Sequence, residues 1–154
     1  MYYLKLTLEK LPFGMNNFAG LAIGPVILIK KYHENNKGLL EHEKFHVRMF
    51  WVWYILVLAA STITAIYFGY IPLPETFQSL IQNEIFHILL SISLIPRSVF
   101  YKFVGKYRLW EEVQGYKIQE KTNKQNKLKE FAHYIATRYN IDITEKEALK
   151  LLKK

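Results

Sequence analysis

The stretch Gly38-Leu39-Leu40-Glu41-His42-Glu43-Lys44-Phe45-His46-Val47-Arg48-Met49-Phe50 decides how this chain is read. At its centre stands His42-Glu43-Lys44-Phe45-His46, an H-E-x-x-H string. The stretch has no proline, and its single glycine opens it; Asn35 and Asn36 precede it as candidate helix caps. Leu39, Phe45, Val47, Met49 and Phe50 give such a helix an apolar surface to bury. On a helix His42 and His46 share one face, and two imidazoles one turn apart can grip one metal ion, most often zinc. Glu43 sits beside the first ligand, where its carboxylate can reach a metal-held water without binding the metal. The competing reading is a helix with two surface histidines and ordinary charges. The helical context weighs against it.

A catalytic zinc takes three protein ligands and a water. The chain has no cysteine, so the third ligand is His, Asp or Glu. The pair Glu111-Glu112, flanked by Trp110 and Val113, is the best candidate. Neighbours on a helix point about 100° apart, so one of the two can face the metal, not both. The bland alternative leaves both solvated.

A helical H-E-x-x-H followed by a downstream glutamate resembles the gluzincin group of zinc metallopeptidases. The pattern Glu112-Val113-Gln114-Gly115-Tyr116 is similar to that group's second motif, with a small residue at Gly115. The resemblance implies that Glu112 is the third ligand and Glu111 is not. Tyr116 stands where many members carry an aspartate that orients a ligand histidine, a task its hydroxyl could take. The resemblance spans about 18–117 and rests on these two motifs; the apolar segments between them are similar to those of membrane-bound gluzincins, while the N-terminal half alone also resembles small soluble minimal metallopeptidase domains. It implies a zincin-like fold, mainly α with a small N-terminal β ribbon (α+β), and an apolar helical hairpin inserted between the two motif helices.

The rest of the chain fits around that frame as one domain over 1–154. Residues 1–34 read as the ribbon: Tyr3–Leu8 is a candidate strand, and Phe18–Lys31, interrupted at Gly24-Pro25, reads as an edge strand. An edge there would leave backbone groups to pair with an extended peptide, or would simply cover the helix. Residues 35–48 form the H-E-x-x-H helix. From Met49 to Pro74 there is no charged residue, and Phe50–Phe68 is long enough to span a bilayer, with aromatics at both ends. Gly69–Pro74 is a turn, and Glu75–Pro96 runs apolar again, so 50–96 reads as a helical hairpin, membrane-inserted or buried in a soluble fold. His33, His87 and His133 read as loop or structural histidines. Residues 97–127 carry the glutamate helix, and 128–154 two C-terminal helices, the last opened by the capping box Thr144-Glu145-Lys146-Glu147.

Net charge is +8, with basic residues gathered near 97–108 and 117–154. No nucleic-acid motif accompanies them, so an anionic membrane face is the better partner and no nucleic acid is expected. The first residues lack the apolar run of a signal peptide, and the chain start is expected in the cytoplasm. Glu112 must return to the side of the membrane that holds His42 and His46. Two crossings or none satisfy this. The turn near 69–75 has no Lys or Arg while both flanks are basic, which puts the site at the cytoplasmic face of the membrane; the alternative is a soluble cytoplasmic protein.

The expected activity is zinc-dependent hydrolysis of a peptide or protein, with His42, His46 and Glu112 on the metal and Glu43 as the proton carrier. Tyr107, Arg108 and Tyr116 are candidates to steady the oxyanion. The alternatives are an inactive zincin-like zinc-binding protein and a membrane or assembly protein with no metal.

Overall fold

A computed structural model of the chain describes residues 2–12, 14–15, 17–67, 84, 88 and 101–154, side chains within 65–67 excepted. It is mainly helical with a small N-terminal sheet, an α+β class. The strands are β1 (Leu4–Leu8), β2 (Gly20–Ile23) and β3 (Val26–Lys30). The helices are α1 (Lys37–Tyr67), α2 (Gly105–Asn123), α3 (Leu128–Arg138) and α4 (Glu145–Lys153). A single 3-10 turn, Lys31–His33, joins the sheet to α1.

The sheet order is β1-β3-β2. β3 is central, parallel to β1 (Leu4 opposite Val26) and antiparallel to β2 (Gly20 opposite Ile29). The expected single edge strand over Phe18–Lys31 is therefore a tight hairpin. Gly24, at φ 57°, sits in its turn beside Pro25, a left-handed conformation that glycine adopts without penalty. Pro25 thus costs no ladder hydrogen bond. Of the hairpin's two strands β2 keeps the edge character: like β1 it has, among the described residues, a strand on one side only. Ile27 and Ile29 of β3 are fully buried against Leu39 and Val47 of α1 and form one core.

The sequence divides 35–48 from 50–96 by hydropathy, yet α1 runs unbroken from Lys37 to Tyr67. The reason is local. Between Leu39 and Tyr67 there is neither glycine nor proline, so nothing stops propagation where the side chains turn apolar. Asn36 caps the helix, its Oδ1 accepting from Leu39 N at 3.0 Å. Asn123 binds both Gly38 N and Asn36 at 2.8 Å, tying the end of α2 to the start of α1. By length and composition α1 can cross a membrane, and from Trp51 to Thr64 none of its side chains is buried. The turn at 69–75, the returning segment 76–96, His87 and the basic start at 97–100 lie outside the described residues, apart from Glu84 and Ile88.

α2 lies antiparallel to α1. His42 meets Gln119, His46 meets Glu111, and Trp53 meets Tyr107, so numbers fall along α2 as they rise along α1. The far side of α2 packs Val113 and Tyr116 onto Phe131, Ala132, Ile135, Ala148 and Leu152, a second core built by α2, α3 and α4. The capping box at Thr144 and Glu147 forms as read from the sequence. The two cores hold the two motif helices in fixed register, and the polar site lies between them.

Candidate metal centre

His42, His46 and Glu112 are all buried, and one ligand atom from each can be chosen so that all lie within 4.8 Å of one another. His42 Nε2 and His46 Nε2 are 3.0 Å apart. His42 Nε2 lies 3.5 Å from Glu112 Oε2, and His46 Nε2 lies 3.5 Å from Glu112 Oε1. Tetrahedral zinc with bonds of ~2.0–2.1 Å separates its ligand atoms by about 3.3 Å. The two ring nitrogens, and each nitrogen with its nearer Glu112 oxygen, are close to that spacing, the two rings meeting different oxygens of the carboxylate.

The far nitrogens of both rings are engaged. His46 Nδ1 lies 3.0 Å from Glu111 Oε2, and His42 Nδ1 lies 3.2 Å from Gln119 Oε1. Carboxylate and amide oxygens only accept, so each Nδ1 is the protonated, donating atom. In the neutral rings both Nε2 lone pairs then point at each other and at a carboxylate. Three lone-pair donors facing one point repel unless positive charge, a metal ion or a proton on one ring, lies between them. Glu112 Oε2, buried and without a hydrogen bond, adds to that demand. Donor chemistry and spacing together fit a divalent ion; His and Glu ligands suit zinc among several metals.

Both glutamates of the α2 pair are inside, Glu111 at 0% and Glu112 at 1% exposure, so the solvated alternative does not describe them. The 100° offset between neighbours divides their work. Glu112 faces the Nε2 pair, and Glu111 reaches around to His46 Nδ1. Burial alone would raise the pKa of Glu112; His46, His42 and the Tyr101 hydroxyl outweigh it and bring it down to about 2. The carboxylate is thus ionised and ready to bind a cation.

The other residues singled out by sequence sit around this centre. Glu43 is buried one residue from His42 and lines the cavity. The Tyr107 hydroxyl donates to Glu111 Oε1 and accepts from Trp53 Nε1 at 2.7 Å, which places it behind His46. Arg108 lines the cavity and donates to the carbonyls of Tyr101, Lys102 and Tyr139. The Tyr116 hydroxyl meets Tyr139 at 2.9 Å rather than a histidine; its ring stands edge-on to His42, centroids 4.6 Å apart. Burial, and next the Glu112 charge, push the phenols of Tyr116 and Tyr139 upward, so both stay protonated.

Four neighbours were not picked out from the sequence in these roles: Glu111, Gln119, Tyr101 and Tyr139. Gln119 had a signal, since it follows Glu112 by two helical turns on the same stripe. Tyr101, which donates to Glu112 Oε1, and Tyr139 had none, because tertiary packing alone brings them in.

Two glycines make room for the constellation. A Cβ on Gly115 would stand 2.7 Å from His42 Nε2, and one on Gly20 would stand 2.8 Å from Glu43 Oε1. The β2 backbone therefore passes directly over Glu43. A cavity of about 370 Å³ opens along β2, lined by Leu21, Ala22 and Ile23 and floored by His42, Glu43, His46 and Glu112. A second, of about 320 Å³, shares Gly20, His42 and Glu43 with it and extends the other way.

No protein family, curated protein or solved structure matches the chain.

Proposed function

We propose that the protein is a zinc-dependent peptidase of gluzincin type, with His42, His46 and Glu112 as metal ligands and Glu43 as general base. The single observation that carries this reading is the arrangement of the ring nitrogens. Both Nδ1 atoms are tied back to acceptors, and both Nε2 atoms converge on the Glu112 carboxylate. A bound zinc would supply the positive charge that acidifies a water and polarises a carbonyl.

The chain's own groups supply the rest. The free edge of β2 offers backbone N–H and C=O groups to an extended peptide. Gly20 lets that strand lie close over Glu43, so a peptide added to the edge would run past the carboxylate. Glu43 would take a proton from the attacking water and pass it to the leaving amine. Glu111 and Gln119 hold the two rings in the ligating tautomer. Tyr101 and Arg108 line the same cavity and would donate to developing negative charge, Tyr101 by releasing Glu112.

For α1 beyond Phe50 we propose insertion into the cytoplasmic membrane, with the site on the cytoplasmic side. The uncharged, unburied run from Trp51 to Thr64 and the basic flanks of the apolar region support this.

The test is metal analysis of the purified protein together with E43Q. The wild type should carry about one zinc per chain and cleave peptides. E43Q should keep the zinc and lose about 10²–10⁴-fold in turnover. Zinc bound with no turnover on any peptide would favour an inactive zinc-binding protein. No zinc at all would remove the metal reading.

A further inference from the structure

Resting on the peptidase reading, we infer that the substrate is itself a membrane-anchored polypeptide, cut about three residues from its membrane span. Apolar side chains would precede the cut on the membrane side, and polar ones would lie beyond it.

Three independent features meet here. The first is that the metal-binding motif and the apolar segment are one helix. At 1.5 Å per residue, Glu43 lies about 10 Å along α1 from Phe50, and an unbroken helix holds that distance fixed.

The second is an aromatic and basic level at that point of the molecule. Trp51, Trp53 and Tyr54 sit on α1; Tyr2, whose carbonyl accepts from Trp51 Nε1 at 3.1 Å, and Tyr107, bonded to Trp53, come from elsewhere in the chain to the same height. Tyr2 is exposed, as are the cations Arg48, Lys102 and Lys106 nearby in the chain. Aromatic rings and cations at one level are what a bilayer interface with anionic headgroups selects.

The third is the polarity of the two cavities that flank Glu43. β2 runs in the same sense as α1: Gly20 lies on Glu43, and a Cβ on Gly24 would lie 3.7 Å from the Phe50 ring. The cavity on that membrane-ward side is walled by Met15, Leu21, Ala22 and Ile23, with Arg108 and Arg138 at its border. The opposite cavity, toward the start of α1, shares Arg138 and adds Asn36, Gln125, Lys127 and Glu130. An extended chain on the β2 edge rises about 3.3 Å per residue, so the 10 Å from Glu43 to Phe50 holds about three residues. A soluble peptide gains nothing from that geometry. A chain leaving the bilayer beside α1 is delivered into it.

The experiment uses full-length protein, loaded with zinc, in vesicles of phosphatidylcholine and phosphatidylglycerol. The probe is a synthetic single-span peptide with a cytoplasmic tail of about 20 residues, apolar in the first few positions and polar beyond. The same tail without the span, and the spanning peptide with ten Gly/Ser residues inserted before the tail, complete the set. Cleavage positions are mapped by mass spectrometry. The inference requires cutting about three residues from the span, and at least a tenfold slower rate on the soluble tail. It also requires that the insertion slow cleavage tenfold or move the cut into the inserted residues. If the soluble tail is cut as fast, or if the cut follows the original sequence outward past the insertion, the inference fails and the peptidase reading stands. If none of the three peptides is cut, the peptidase reading fails and takes this inference with it.

Discussion

Replacing Gly115 by alanine separates a metal site from an ordinary buried cluster. In most helix interiors Gly→Ala is stabilising by ~1 kcal/mol, because alanine is the better helix former. Here the added methyl would stand 2.7 Å from His42 Nε2, 2.8 Å from its Cδ2 and 2.9 Å from its Cε1. Ordinary contact begins at 3.4 Å, so the ring must retreat by about 0.7 Å or swing away. Zinc–nitrogen distances tolerate ~0.2 Å. The displacement is several times that tolerance, and the ring is already confined by Gln119 at its other nitrogen and by the Tyr116 edge. The loss should at least match that seen when outer partners of ligands are removed, ~10–100-fold in metal affinity, or about 1.4–2.8 kcal/mol. The assay is competition with a chromophoric chelator, read beside the thermal midpoint of the metal-free protein. The metal-free variant should melt no more than a few degrees from wild type while its zinc affinity falls. An unchanged zinc affinity would refute the placement of His42 at the metal.

Four further outcomes follow from the same geometry. Glu112→Ala removes a ligand and should abolish stoichiometric zinc, whereas Glu111→Gln keeps all three ligands and should weaken zinc by ~10–100-fold, both read by chelator competition. Because the folded-state pKa of Glu112 is depressed to about 2, its ionised form stabilises the metal-free fold above the ordinary carboxylate range, and that contribution drains away as pH falls from about 4.5 toward 2; the acid side of a melting-temperature profile should flatten in Glu112→Gln. Stripping zinc with a chelator should end turnover, and adding zinc back should restore it. Gly20→Val should lower kcat/KM through crowding of Glu43 while leaving zinc content intact, measured by peptide cleavage and metal analysis on the same sample.

How much of this was legible in the sequence follows from the range of the forces involved. The spacing of His42 and His46 is a local, helical fact, and the rings do share a face. The cap at Asn36 and the box at Thr144 are local too, and both form. The choice between Glu111 and Glu112 needed only the 100° offset plus a resemblance, but the role left over for Glu111 required knowing where His46 Nδ1 points. The hairpin at Gly24-Pro25 was hidden because two short apolar strands and one long interrupted one have the same composition. The continuity of α1 was written in the absence of glycine and proline, yet hydropathy changes at Phe50 and suggested a boundary that the backbone does not observe. Tyr101 and Tyr139 carry no periodic signal that points at the site.

The position of Glu43 bears on whether the centre works or only binds. A structural zinc site is satisfied by its ligands and their supports and needs no further carboxylate buried beside them. This chain keeps one, and keeps a glycine opposite it on β2 where any larger residue would collide with its carboxylate. The same glycine lies on a strand whose outer edge, among the described residues, no other strand covers. A buried carboxylate beside the ligands, a strand lying close over it and an edge that no described strand covers are not needed to hold an ion. They are what the proposed peptidase would use to bring a peptide bond to that ion, and E43Q, by keeping zinc and losing turnover, tells that reading from ion binding alone.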